Sequence, residues 1–303
     1  MIFPKNIIYK SVLYLPSFNC IIKIYNNHIY FVVNEVKYDV PVGSIINIVC
    51  ELNDENASLI MIAEIIKVGI GIYFNKSNLS HIIEMNPNNI DPALNRIQCA
   101  VTKDIQLEIA NITVNNKINN QLILVGLRYI ELHNYQGIRT LMLHEGRVGK
   151  KYFRLLFKDH NWNGRKARLK GDVNNLLLDI SYHYLYILVN SIVRVYNLHP
   201  QIGYLHQYLK DRNSLSLDLM EVFRPDMDRL VIKYLESNKY SKSNFVIRKD
   251  KYIFKNSDFS HEFVSIVNKQ LSKLKYPIAK YVYEYQVWLR KTNTEFPTYQ
   301  IKI

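Results

Sequence analysis

Cysteine is scarce: Cys20, Cys50 and Cys99 are widely spaced and odd in number, which excludes a disulfide framework and a zinc cluster. The opening MIFPKNIIYKSVLYLP also lacks a long apolar core and a small-residue cleavage site, so it is not expected to be a secretory leader. No long apolar run is free of polar residues. The best, Leu176 to Val195, is interrupted by Asp179, His183, Asn190 and Arg194, and is expected to be a buried helix rather than a membrane span. There is no internal repeat and no glycine-rich phosphate loop. Together these absences lead to the expectation of a cytoplasmic protein with no membrane partner.

What is present is an ordinary globular composition, 48% hydrophobic and 21% charged over 303 residues. Such a length suits about two domains, large enough to bury roughly three quarters of the unfolded surface without any covalent staple. Charge is distributed unevenly. The first 78 residues hold 6 basic and 6 acidic side chains, so the whole net charge of +13 falls on the remainder. A polyanionic partner is therefore expected for the larger part, nucleic acid before an anionic membrane surface.

The pattern of residues divides in the same place. FNCIIKIYNNHIYFVV reads as two strands around a turn at Asn26 and Asn27, and KYDVPVGSIINIVCE as a turn at Pro41 to Ser44 followed by another strand. ASLIMIAEIIKVGIGIYF predicts a short helix ending near Gly69 and a strand to Phe74. The expected class is α+β: a small β-rich domain over 1–78, a polar linker over 79–95, and an all-helical domain over 96–303. Within the last, VNNKINNQLILVGLRYIELHNY and the stretch from Val173 to Asn197 both carry helical periodicity.

Chemistry is concentrated in GYLHQYLKDRNSLSLDLMEVFRP, Gly203 to Pro225. On a strand, Asp218 and Glu221 would face opposite ways; on a helix their i,i+3 spacing puts both on one face. Met220, Val222 and Phe223 break the alternation and favour helix, and Pro225 suits the first turn of a second helix, PDMDRLVIKYL. Two like carboxylates on a partly buried face repel unless a cation or a base lies between them. His206 with two carboxylates suits Mn²⁺ or, through the oxygens, Mg²⁺. The same residues also suit a solvated helix edge with His206 as a cap.

A second region, LMLHEGRVGKKYFRLLFKDHNWNGRKARLKGD, sets Glu145 beside a helical stripe of Arg147, Lys150, Lys151, Arg154 and Lys158. GRKARLKG adds Arg165, Lys166, Arg168 and Lys170, with Tyr152 and Trp162 interleaved. An acid amid such charge is what a site handling backbone phosphates needs, the cations positioning the polyanion. The alternative is a solvated basic face with Glu145 as its counter-ion.

NLHPQIGYLH followed by DRNSLSLDLMEVFRP resembles the signature of the CRISPR-associated integrase family, the adaptation proteins called Cas-one. The family's Gly-Leu-x-Pro-x-x-Gly-x-x-His run corresponds to Leu198, Pro200, Gly203 and His206. Its Ser-Leu-x-x-Asp-Leu-x-Glu-x-x-Arg-Pro run corresponds to Ser214, Leu215, Asp218, Leu219, Glu221, Arg224 and Pro225. HEGRVGKKYFR is similar to its Glu-Gly and Tyr-Phe pairs, and NLLLDISYHYL to its Asn-x-x-Leu-x-x-x-Tyr helix. KINNQ (Lys117 to Gln121) and RIQ (Arg96 to Gln98) fit weaker positions. Asn197 and Ser181 stand where the family usually has glycine.

The resemblance implies a divalent metal, Mg²⁺ or Mn²⁺, held by Glu145, His206 and Glu221. Asp218 would be a nearby catalytic acid, with its exchange for Glu221 as third ligand left open. It implies a metal-dependent DNA endonuclease and integrase that inserts short foreign fragments into a CRISPR repeat by 3′-hydroxyl attack on a phosphodiester. Arg147, Lys150, Arg154, Arg165, Arg168 and Arg224 are the candidate contacts to double-stranded DNA. The implied assembly is a homodimer, two of which are bridged by a dimer of the small partner Cas-two. A nuclease of branched or repair DNA without integration, and a non-catalytic DNA-binding scaffold, are the competing expectations.

Overall fold

The computed structural model describes residues 10–15, 22–33, 35–52, 59–76, 82–87, 91–127, 134–166, 171–206, 209–291 and 294–302. The chain forms two compact units, Met1–Ile90 and Asp91–Ile303.

The first unit is rich in strands. β1 (Ser11–Leu15), β5 (Ile45–Leu52), β6 (Gly71–Lys76) and β7 (Ile82–Met85) make one sheet in the order β1-β5-β6-β7, parallel except for the antiparallel last pair. β2 (Ile22–Tyr25), β3 (His28–Val33) and β4 (Val36–Pro41) form an antiparallel meander. Tyr25 pairs with His28, leaving Asn26 and Asn27 as a two-residue loop with φ of 47° and 62°, the backbone that a tight hairpin needs and asparagine tolerates. α1 (Leu59–Lys67) stops where Gly69, at φ 84°, lets the Ile70 amide reach back to the Ile65 carbonyl at 3.2 Å. Ile48 and Ile72 of the four-stranded sheet, Ile29 and Phe31 of the meander, and Ile62 and Ile65 of α1 bury one shared apolar cluster. Within the stretch expected as a linker, residues 82–85 pair as β7 and Pro92 opens a helix capped by Asp91.

The second unit is built on helices: α2 (Pro92–Ala100), α3 (Lys103–Leu124), α4 (Ile138–Leu156), α5 (Val173–Val195), α6 (Ser214–Met220), α7 (Arg224–Leu235) and α8 (Ser257–Arg290). It is not all-helical, because β8 (Phe245–Arg248) and β9 (Lys251–Phe254) form a hairpin between α7 and α8. α3 also ends earlier than its periodicity predicts. Gly126, at φ 74°, turns the chain so that the Leu127 amide bonds the Leu122 carbonyl at 2.9 Å. α5 is the central helix. It is long and apolar enough to cross a membrane, yet 83% of its most apolar window is buried inside the unit. Its apolar residues face α6, α7 and α8, which accounts for a helix hydrophobic nearly all round.

Candidate metal centre

Asp218 and His206 are joined by a loop that wraps a carboxylate. After α5 the chain turns through Asn197 at φ 56°, then reaches Gly203. A Cβ on Gly203 would lie 2.6 Å from Asp218 Oδ2 and 2.8 Å from Ser214 Cβ, so only glycine lets the backbone come this close to α6. The amides of Tyr204 and Leu205 donate to Asp218 Oδ2 at 2.7 and 3.0 Å, and that of His206 to Oδ1 at 3.0 Å. His206 Nδ1 lies 2.5 Å from Oδ1. Asp218 is fully buried, and burial holds its carboxyl above the usual carboxylate range in spite of these bonds. With Nδ1 on Asp218, the ring of His206 is fixed in orientation and keeps Nε2 for another partner.

Glu221 takes a different course three residues on. Pro225 has no amide to offer the Glu221 carbonyl, and the Arg224 amide bonds that carbonyl instead, tightening Glu221–Phe223 into a 3-10 turn before α7. The Glu221 side chain, 5% exposed, pairs with two cations and lies near His206. Arg224 Nη2 lies 2.9 Å from Oε1, Lys117 Nζ of α3 lies 2.6 Å from Oε2, and the charge of His206 also reaches it. Burial opposes ionisation, but Arg224, Lys117 and His206 outweigh it and hold the carboxyl well below its ordinary range. Lys117 also donates to Glu145 Oε1 of α4 at 2.5 Å. Burial would deprotonate Lys117, but Glu221 and Glu145 hold its pKa above the ordinary value. Carboxylates from two separate elements therefore aim at one cation position, which the ammonium of Lys117 fills.

A third buried carboxylate lies behind this pair. Asp228 of α7 accepts the hydroxyls of Tyr152, at 2.8 Å, and Tyr182, and burial pushes it up to about 6. Tyr182 in turn carries Arg224 over its ring at 4.8 Å and Arg165 at 5.5 Å.

The six candidate phosphate contacts divide into distinct environments. Arg147, Lys150 and Arg154 are exposed on α4 without an ion pair among the described residues, since Glu145 turns to Lys117 rather than to them. Arg165 is bound to Asp179 at 2.6 Å and Asn175 at 2.8 Å, and Arg224 to Glu221, so both are committed inside the fold. Arg168 lies outside the described residues. Tyr152 is buried, and Trp162 stacks on Phe157 with centroids 4.6 Å apart, so these aromatics pack the end of α4. Lys117 was given no role by sequence reasoning. Its signal was a run of polar residues, Asn116, Lys117, Asn120 and Gln121, at helical spacing in a helix otherwise expected to bury an apolar face.

The donor set fits a divalent cation: two carboxylates converge on one point beside an imidazole already oriented by a second acid. Among the described residues, as their side chains stand, no three of His, Cys, Asp and Glu are grouped to hold an ion, and Lys117 lies between the two glutamates. The family model for CRISPR associated protein Cas1 matches residues 13–268. The chain belongs to the Cas1 family. A CRISPR-associated endonuclease Cas1 of Leptospira interrogans is 29% identical over 140 residues, 44% of this chain. The chain spans 55%, about half, of that relative's length. A CAS1 protein from Thermotoga maritima shares the fold at 18% identity and TM-score 0.83, over 96% of this chain and all of that one. A casposase bound to its integration product does so at 20% identity and TM-score 0.79, over 96% of this chain and 94% of that one. The Cas1 fold thus confirms the expected order, a strand-rich part followed by a helical one.

Proposed function

We propose that this Cas1 chain is a divalent-metal-dependent DNA endonuclease and integrase of CRISPR adaptation, acting in the cytoplasm. The observation that carries the proposal is the convergence of Glu145 and Glu221 on one cation position, next to a histidine locked by Asp218. Glu145, Glu221 and His206 would hold Mg²⁺ or Mn²⁺. Bound there, the ion would supply the charge that activates a 3′-hydroxyl and offsets charge developing on the attacked phosphodiester.

The chain's own residues do the rest. Asp218, in contact with Nδ1, fixes the ring of His206 and leaves Nε2 as the nitrogen that would bind the ion. Arg224 keeps Glu221 ionised, and Tyr182 braces Arg224 from its other face. Arg147, Lys150 and Arg154 meet the phosphates of double-stranded DNA as charges free of internal partners. The family pattern extends the proposal to a homodimer, two of which are bridged by a Cas-two dimer.

The test is nicking and strand transfer on a repeat-containing plasmid, with added DNA fragment and Mn²⁺ or Mg²⁺. His206→Ala should abolish both while leaving fold and DNA binding intact, and a 3′-blocked fragment should stop transfer alone. Nicking with no transfer even of an unblocked fragment argues for a nuclease without integration. One observation favours the scaffold reading: Lys117 neutralises the two glutamates without any ion. Under that reading the wild type binds DNA yet cuts and joins nothing with either metal.

A further inference from the structure

A second charged feature of the helical unit has no part in the metal centre. Between α7, α8 and the C-terminal segment lies a cavity of about 510 Å³. α7 and the turn after it contribute Asp226, Arg229, Leu230, Lys233, Tyr234 and Ser237; α8 contributes Ile266, Lys269, Gln270, Lys273, Leu274 and Pro277. Each set runs at intervals of three and four residues, so two helices present matching stripes. The floor is apolar, since Leu230, Tyr234 and Leu274 are buried, and the rim is basic. Glu145, His206 and Glu221 do not line it.

The charges around this cavity do not balance. Asp226 is the one acid among its lining residues, and Tyr299 and Arg229 already use it at 3.0 and 3.1 Å. Arg229 also donates to the Lys302 carbonyl, and Lys239 pairs with Glu262 at 3.0 Å. Among the described residues no carboxylate pairs with Lys233, Lys269, Lys273 or Lys302. Four ammonium groups without a described carboxylate partner at the mouth of an apolar cleft call for an anion with an apolar body. Its volume is within the range of small-molecule sites, about 300 to 1,000 Å³. The kind of cation favours phosphate over carboxylate. Planar carboxylates are recognised by the arginine fork, and the single arginine here is already engaged, whereas lysines act as point charges that suit phosphate.

We propose that the α7–α8 cavity is a nucleotide-binding site that takes a base on its apolar floor and phosphate at its lysine rim, separate from the metal centre. A free nucleotide and a single nucleic-acid strand share this chemistry. The inference does not depend on catalysis, so the test is made in EDTA with the full chain. Binding of a nucleoside triphosphate, a ten-nucleotide oligothymidylate and polyglutamate is measured for wild type and for a Lys269→Glu/Lys273→Glu variant. A Lys269→Gln/Lys273→Gln variant repeats the test under a milder change, and thermal melts check the fold of both. The charge-reversed protein should bind a nucleotide probe at least 10-fold more weakly. If the strand is the ligand, its salt slope should fall by about 1.4, two phosphates at about 0.7 each. Loss confined to the triphosphate assigns the site to free nucleotide, and loss with the strand assigns it to nucleic acid; either supports the proposal. Unchanged binding of both nucleotide probes overturns it, and so does a loss of polyglutamate binding equal to theirs, which marks a general polyanion surface.

Discussion

Four buried carboxylates lie within eleven residues, and three of them, Asp218, Glu221 and Asp228, are each held by a different kind of partner. Asp218 is gripped by three backbone amides and one histidine, Glu221 by two side-chain cations, and Asp228 by two tyrosine hydroxyls. Their pKa values diverge accordingly. Burial raises Asp218 and Asp228, whereas Arg224 and Lys117 overcome burial at Glu221 and lower it. Backbone amides cannot leave Asp218 without unwinding the loop, but a lysine can swing away from Glu221. Of the two acids in the i,i+3 pair, one is thereby suited to hold a loop and the other to exchange partners. The two charges do not need a shared cation to coexist, because each has its own counterpart.

The largest effect should come from breaking the rigid member. Asp218→Ala leaves three buried amides without acceptors, at roughly 1 to 3 kcal/mol each. A loss of about 4 kcal/mol is therefore expected in denaturant unfolding, with Gly203→Ala showing a similar defect through its clash with the same carboxylate. Glu221→Gln keeps the side-chain shape and leaves Lys117 paired with Glu145, so it should cost less than Asp218→Ala, and the reverse ranking would end the distinction drawn above. Next in size is Lys117→Met, which leaves Glu145 and Glu221 facing one vacated cation position. Removing one partner from a buried pair costs about 3 to 5 kcal/mol. In EDTA the variant should melt well below wild type, and Mn²⁺ should restore it by more than it stabilises wild type. An equal response of both proteins to Mn²⁺ would mean that the two glutamates do not share an ion site.

Much of this arrangement was legible in the residues, and what was not has identifiable causes. Local backbone demands leave marks: Asn26 and Asn27 in the hairpin, Asn197 in a left-handed turn, Gly203 against α6, and Pro225 at the start of α7. Long-range pairing leaves fewer. Nothing in the separate strands announced that β1 and β5 run parallel across an intervening meander. The β8–β9 hairpin turns on Lys249 and Asp250, at φ of 49° and 59°, rather than on an asparagine–glycine pair. Arg165 and Arg224 looked like free cations because charge alone does not reveal that Asp179, Glu221 and Tyr182 approach from other helices. Lys117 was hidden for the same reason, since its partners lie 28 and 104 residues away.

The third effect sharpens the contrast between neutral and charged donors. Asp228 has a folded pKa of about 6, above its unfolded value near 3.9, so the folded state binds the extra proton between those limits. Stability through this group is gained as pH falls from about 6 to about 4 and lost as pH rises. Glu221, with its pKa lowered, acts in the opposite sense, keeping its contribution above about 4.5 and losing it in stronger acid. The difference in unfolding free energy between wild type and Asp228→Asn should therefore change by roughly 2 kcal/mol, in favour of wild type, between pH 7 and pH 4.5. A flat difference would show that the tyrosines hold Asp228 ionised as firmly as the cations hold Glu221.

The smallest stability effect, and a clear binding effect, belongs to the cations of α4. Arg147, Lys150 and Arg154 are exposed and unpaired, so replacing any of them by alanine should move the unfolding free energy by no more than about 0.5 kcal/mol. Each replacement should instead reduce the slope of log K against log salt for duplex DNA by about 0.9, because one phosphate fewer is neutralised. Arg224 is the contrasting case: its guanidinium is already divided between Glu221 and the face of Tyr182, so Arg224→Ala should destabilise the fold before it alters the salt slope. A salt slope that fell for Arg224→Ala but not for the α4 variants would move the DNA track off α4 and onto the buried cluster itself.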